Sequence, residues 1–362
     1  MDDKLIYDVW LGSMYHITPD MSRYLLEIYQ SSKTIYNTGT KELLECLRDG
    51  AFRVNFELKK DLAGRSLFLS ERNLKECRYF DAKPLFSFQK EYPGHLLKIH
   101  EAPYLLWCKG NMKLLKNPGI AVVGTRRCSP YGRWAATEIG KRLANCGATV
   151  VSGMAAGIDG AAHKGALSAD GDTIAVLGTG LDVCFPTSNE AIYKMIQQFG
   201  LLVSEYPFGE GGKPMNFPKR NRIISGLSSK MIVVEGSLKS GSMISAGLAL
   251  EQGREVLAVP GNINQPNSIG VNKLIADGAC PIMDLDDLSL LLGLETSREE
   301  KLLERLSFEE GKLYTLIKEA PGCGRDYLQL STGYDASFVA GIVSSMEIKG
   351  AIEARGYGLY VK

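Results

Sequence analysis

The 362-residue chain lacks the patterns that define several large protein classes. It has no apolar stretch near the ~20 residues that a membrane-spanning helix needs; the longest are strand-sized, such as Met231–Val234. Its opening, Met1-Asp2-Asp3-Lys4-Leu5, shows no basic segment followed by an apolar run, so no secretory leader is expected. An excess of one charge is missing too: 42 Lys+Arg stand against 41 Asp+Glu, a formal charge of +1. Any nucleic-acid site must then arise from local clustering, because the global field is nearly nil. The eight cysteines form no CxxC pair, and none of the four histidines stands at zinc-ligand spacing from a cysteine pair, which argues against a structural metal. Scattered thiols in a chain this long read as reduced, and a cytoplasmic location is expected.

What is present is ordinary globular composition, 45% hydrophobic and 23% charged, with 39 glycines, many in one central stretch. The length is enough for two or three domains at about 150 residues each. Residues 1–80 predict a small helical domain, with Ser22–Tyr29 and Thr40–Arg48 as short amphipathic helices. The Gly-hydrophobic-Gly hairpin of a DNA-binding helix-hairpin-helix is absent, which favours a packing role there.

From Ile120 the pattern changes. Ile120–Val123, Thr149–Val151, Thr173–Leu177, Leu201–Val203, Met231–Val234 and Glu255–Val259 are short aliphatic runs separated mostly by helical stretches. Gly147, Gly171, Gly200 and Gly253 close helices before the next strand, and the left-handed C′ conformation is the expected reason. Such alternation predicts an α/β, Rossmann-like, open and mostly parallel sheet with helices on both faces, spanning 81–292. The acidic run Asp284–Asp287 is expected to cap a last core helix. The polar stretch Glu295–Arg305 reads as a linker, within 293–305. Three helices (Gly311–Glu319, Arg325–Leu330, Asp335–Lys349) and a hairpin turning at Gly356-Tyr357-Gly358 then predict a winged-helix domain over 306–362.

In an open parallel sheet, ligands bind beyond the carboxyl ends of the strands. Small residues follow most strands here: Gly124, Ser152-Gly153, Gly178-Thr179-Gly180, Gly236–Ser242 with Ser240 and Gly241, and Pro260-Gly261. They are expected to let a ligand approach the backbone, with helix N-termini behind them to receive phosphate. Gly236–Ser242 has the GxxxxG frame of a P-loop, but Ser242-Met243 replaces Lys-Ser/Thr, so the charge clamp of an NTPase is missing. Gly178-Thr179-Gly180 opens like a dinucleotide fingerprint, but Val183 replaces its third glycine and the wrong strand precedes it. Positive charge gathers at the same edge: Arg126, Arg127, Lys213, Lys219, Arg220, Arg222 and Lys239, with Asn221 among them and the ring of Phe217 beside them. Arginine forks grip phosphates and an aromatic face stacks bases, which together suit a single-stranded nucleic acid. The competing reading pairs Arg220 and Arg222 with carboxylates such as Glu235 or Glu205 and puts Phe217 in the core. Asp159 and His163, one turn apart, are read as a cap and a buried hydrogen-bond partner in preference to an acid–base pair.

In order, Gly124-Thr125-Arg126, Ser152–Asp159, Gly178–Asp182, Ser204-Glu205, Phe217–Arg222, Glu235–Ala246, Pro260-Gly261 and Asn272–Ala279 resemble the DNA-processing protein A (DprA/Smf) family, over about Tyr92–Met283. Thr125 for serine, Phe185 for tyrosine and Ser245 for threonine are departures that remove no charge. The resemblance implies a SAM-like N-terminal domain, a Rossmann-like core that binds single-stranded DNA, and delivery of that strand to the recombinase RecA during natural transformation. It makes Arg126 a DNA-contacting arginine and puts Phe217, Lys219, Arg220 and Arg222 in a basic pocket. It also implies a homodimer through Asn272–Ile282, with Asn272, Lys273, Leu274, Ile275 and Ile282 at the interface. It implies neither catalysis nor a cofactor. Two alternatives stand beside it. One is a phosphoribohydrolase-like enzyme, whose Pro-Gly-Gly-x-Gly-Thr loop neither Gly236–Ser242 nor Pro260–Asn262 supplies. The other is an interaction protein that binds no oligonucleotide.

Overall fold

The structure, a computed structural model, describes residues 3–294, 306–356 and 358–361. The expected linker stretch 295–305 and the hairpin-tip residue Tyr357 lie outside them. The chain divides after Gly293 into two compact units.

Six helices open the first unit: α1 (Asp3–Ser13), α2 (Pro19–Tyr29), α3 (Ser32–Asn37), α4 (Thr40–Asp49), α5 (Phe56–Ala63) and α6 (Phe68–Tyr79). Local chemistry sets several starts. The Thr18 hydroxyl accepts the Met21 N–H ahead of Pro19, and the Asn55 side-chain oxygen Oδ1 accepts the Leu58 N–H. These helices do not close a core of their own. Leu25, Leu43 and Leu58 join Phe86, Trp107 and Leu202 of the sheet in one apolar cluster. Each fully buried aliphatic side chain there contributes ~1.5–3 kcal/mol.

The sheet has nine strands: β1 (Lys83–Phe86), β2 (Leu105–Gly110), β3 (Gly119–Val123), β4 (Val150–Ser152), β5 (Thr173–Leu177), β6 (Leu201–Ser204), β7 (Ser228–Val233), β8 (Glu255–Ala258) and β9 (Cys280–Pro281). Their spatial order is β1-β2-β6-β5-β4-β3-β7-β8-β9. From β6 to β9 every pairing is parallel, while β2 runs antiparallel to both β6 and β1. Helices α7 (Gly94–Leu97), α8 (Pro130–Asn145), α9 (Ile158–Ser168), α10 (Glu190–Phe199), α11 (Asn216–Gly226), α12 (Gly241–Glu251), α13 (Ile269–Ala276) and α14 (Leu288–Leu292) complete the unit. The six anticipated parallel strands are present, and β3 to β6 are buried at every position. Strand order reverses at β3, with β4 on one side and β7 on the other. The fold's crevice for ligands therefore lies between the ends of β3 and β7.

Two local expectations are corrected. Gly147 and Gly253 do take left-handed backbones (φ 72° and 70°), but Gly171 and Gly200 do not. Those two are glycine for want of room: a Cβ would lie 2.2 Å from the Ala144 Cβ at Gly171 and 2.5 Å from the Thr173 carbonyl at Gly200. The acidic run gives α14 no side-chain cap. Asp284 instead accepts the Asp286 N–H, and Asp286 pairs with Arg142 on α8.

The second unit contains α15 (Phe308–Glu319), α16 (Arg325–Thr332), α17 (Ala336–Ile348) and the hairpin β10 (Ile352–Arg355) and β11 (Gly358–Val361). A capping box between Ser307 and Glu310 starts α15, and Leu313, Ile317, Leu328, Val343 and Leu359 form its core. Among the described residues, no helix is long and apolar enough to cross a membrane.

Candidate nucleic-acid interface

The β3–β7 crevice holds a groove of about 530 Å³. Its floor is built from Gly124, Thr125, Arg126 and Arg127 after β3, and its walls from Phe217, Arg220 and Asn221 of α11 and from Ser237, Ser240, Gly241 and Ser242 before and within α12. The turn after β3 is held from below. The Thr125 N–H donates to the Glu235 carbonyl, and the Ile158 N–H donates to the Thr125 carbonyl. Gly157 (φ 81°) passes so close that a Cβ there would sit 2.4 Å from the Thr125 oxygen. Asn267 Nδ2 donates to the Arg127 carbonyl at 2.8 Å and fixes the far side. Glu235 pairs with no arginine among the described residues: its carboxylate takes the Ser129 N–H and hydroxyl at the start of α8.

Arg126 and Arg127 are exposed, and neither side chain has a carboxylate partner among the described residues. The Arg126 guanidinium lies 4.8 Å from the centre of the half-buried Phe217 ring, which also meets the exposed Phe185 at 5.4 Å. A free planar cation over an aromatic face offers a phosphate grip and a stacking surface together. Lys239 is exposed on the loop before α12, outside the groove walls.

Two of the expected cations turn inward. Arg220 is 3% exposed, and its guanidinium donates to the carbonyls of Gly153 and Val176. Burial lowers its pKa to about 10, against the pull of Asp159. Arg222 forms a bidentate pair with Glu205 at 2.7 and 2.9 Å and lines a neighbouring cleft instead, as does Lys219. The pairing reading therefore describes Arg222, with Glu205 as partner, while Arg220 is held by backbone carbonyls. Sequence spacing alone could not separate these outcomes.

The strand-end glycines also differ from expectation. A Cβ at Gly153 would strike the Arg220 guanidinium at 2.6 Å, and one at Gly178 would strike the Phe217 ring at 2.8 Å. Those glycines admit the protein's own side chains. Only Gly241, of those lining the groove, has nothing within 4 Å of a Cβ and so opens toward an incoming group.

Asp159 is buried and accepts the Gly153 N–H at 3.1 Å. Burial raises its pKa, opposed by Arg220 and by backbone N–H groups. His163 is fully buried against the Thr173 hydroxyl at 2.7 Å, and burial lowers its pKa to about 3. His163 is a buried hydrogen-bond partner, as read, but Asp159 does not cap α9, whose N-cap is Gly157 without a side-chain bond; it holds the Gly153 N–H instead. Thr125, Ser237 and Ser242 entered the sequence reading only within the runs Gly124–Arg126 and Gly236–Ser242, and Asn267 did not enter it. The serines were legible in Gly236–Ser242 as a hydroxyl-rich turn, but nothing local marks Asn267.

The residues proposed for self-association are split. Leu274 and Ile282 face the chain's own core at 9% and 5% exposure. Asn272 bridges the N–H and carbonyl of Gly261, and Lys273 pairs with Asp277 at 2.6 Å. Ile275 is partly buried.

These features define a doubly wound α/β protein with a cationic, aromatic-walled groove at its switch point. A family model, DNA recombination-mediator protein A, matches residues 83–293, and the chain belongs to that family. It is 46% identical over 201 residues to the DNA processing protein DprA of Streptococcus pneumoniae, covering 55% of this chain and 71% of that protein. The Escherichia coli protein Smf is 45% identical over 199 residues, 54% of this chain and 53% of that one. The solved S. pneumoniae DprA superposes with a TM-score of 0.68 at 33% identity, covering 78% of this chain and 96% of that one. DNA processing protein A from Helicobacter pylori, described for its single-stranded DNA binding mode, superposes at 0.54 with 33% identity over 59% of this chain and 96% of that one.

Proposed function

We propose that this chain binds single-stranded DNA in the β3–β7 groove and acts without catalysis as a recombination mediator, presenting the strand to a RecA-type recombinase in the cytoplasm. The observation that carries the reading is Arg126: exposed, free of carboxylates among the described residues, and laid over Phe217 at the switch point. The relatives' names and the H. pylori description support it. Arg126, Arg127 and the α12 turn grip phosphates, while Phe217 stacks a base. Arg220, though it lines the groove, shapes it from behind. We assign self-association to the face around α13, now through Lys273 and Ile275 and without Leu274 or Ile282.

The test is a salt titration of labelled oligo-dT binding. Each neutralised phosphate of a single strand adds about −0.7 to the log–log slope. A slope of about −2 or steeper is expected, and little preference among base sequences. Affinity that ignores salt sinks the proposal.

We read the second unit as a winged helix that serves a protein partner. Its third helix, α17, carries no Lys or Arg, and the lysine that follows it, Lys349, is ion-paired to Glu310 at 2.6 Å. That helix makes a poor phosphate binder. Truncation after Gly293 is expected to leave oligo-dT affinity within about twofold, measured by fluorescence anisotropy. A tenfold loss would move part of the DNA site into residues 294–362.

A further inference from the structure

We propose that Tyr15, in the loop after α1, is a second base-stacking station on the same single-strand track, so that the N-terminal helical layer holds DNA as well as covering the sheet. This inference rests on the single-strand reading of the β3–β7 groove and extends its path.

Tyr15 is 53% exposed, so its ring adds little to the core. Its hydroxyl donates to the Met215 sulfur at 2.9 Å, one residue before α11, which fixes the ring against the helix that carries Phe217. Two ammonium groups flank the ring, Lys213 at 5.7 Å and Lys219 at 5.8 Å from its centre. Lys213 is shared with Glu210 at 2.7 Å, but Lys219 has no carboxylate partner among the described residues.

Lys219 lies two residues beyond Phe217 in α11. The start of α11 thus carries two aromatic–cation pairs on different faces, Phe217 under Arg126 and Lys219 beside Tyr15. Beside Tyr15 opens a cleft of about 350 Å³, with Lys219 on its wall. An exposed aromatic ring flanked by cations, fixed against the helix that carries Phe217, suits a further base and its neighbouring phosphates on an unpaired strand that rounds the start of α11.

The test uses the full chain and oligo-dT of about 6 and about 20 nucleotides, bracketing common single-strand site sizes. The oligonucleotides carry 5-iododeoxyuridine, which photocross-links to rings it stacks on. Cross-linked peptides containing Tyr15 and Phe217 are expected with the longer strand. Tyr15→Ala should weaken the longer strand by about 5- to 150-fold while leaving the shorter one unchanged. Tyr15→Phe should keep wild-type affinity, since the ring does the stacking.

Cross-links confined to Phe217, with Tyr15→Ala binding both lengths as wild type does, would overturn the inference and leave the proposed function standing. Equal losses in Tyr15→Phe and Tyr15→Ala would also overturn it, because the hydroxyl's bond to Met215 would then be the point. Failure of the unmodified chain to bind either strand would remove the function itself.

Discussion

Arg126→Ala is expected to weaken oligo-dT binding by about 10- to 150-fold at moderate salt, the range set by losing a charge-assisted hydrogen bond of about 1.5–3 kcal/mol. Arg126 is exposed and has no carboxylate to neutralise it among the described residues, so its charge is available to a phosphate without breaking any ion pair. Its guanidinium already rests on the Phe217 ring, which lowers the cost of ordering it for a ligand. The salt slope should become shallower by about 0.7, one phosphate's worth on a single strand. Arg126→Lys should fall between the two, keeping the charge and losing the planar fork. Thermal stability should hold to within about 0.5 kcal/mol, as for other exposed positions. A variant that binds like the wild type with an unchanged slope would remove Arg126 from the interface and with it the main support for the proposed function.

Why Arg126 was legible in the sequence while Arg220 and Arg222 were not is a matter of contact range. The turn after β3 is local: an apolar strand, a glycine, then Thr125-Arg126-Arg127 before a helix, so the cations had to project from the sheet's carboxyl edge. The orientation of Arg222 is settled by Glu205, 17 residues earlier, and that of Arg220 by the carbonyl of Gly153, 67 residues earlier. Neither partner is specified by spacing. The parallel strands were readable for a related reason, since burial on both faces leaves unbroken aliphatic runs. Strands β1 and β2 escaped notice. Lys83-Pro84-Leu85-Phe86 is short and broken by a proline, which an edge strand tolerates. Leu105–Cys108 is wholly buried because the N-terminal helices cover Leu105 and Trp107 while Leu106 and Cys108 pack into the cluster on the opposite face, both tertiary facts. The same covering brought Tyr15 beside α11, some 200 residues away.

Arg220→Ala should instead act on stability, costing about 2–6 kcal/mol, at about 1–3 kcal/mol for each of two buried carbonyls that lose their donor. The side chain is 3% exposed and satisfies the carbonyls of Gly153 and Val176, so truncation orphans both. It also strips Asp159 of the Arg220 charge that offsets its burial. The melting temperature should drop on the order of 10 °C for a unit of this size. The deficit carries a pH signature. Burial raises the Asp159 pKa in the folded state, so its contribution is most favourable below the ordinary aspartate range and is lost as pH rises through the folded value. Removing Arg220 raises that folded value further and widens the window upward. Measured against the wild type, the variant should therefore lose more stability at pH 8 than at pH 5. Asp159→Asn added to Arg220→Ala should flatten that difference and recover part of the loss, giving a double-mutant coupling of roughly 1–3 kcal/mol. If Arg220→Ala melts like the wild type yet loses DNA affinity, the guanidinium reaches the strand directly, and the division between an inward arginine that shapes the groove and an outward one that grips DNA is wrong.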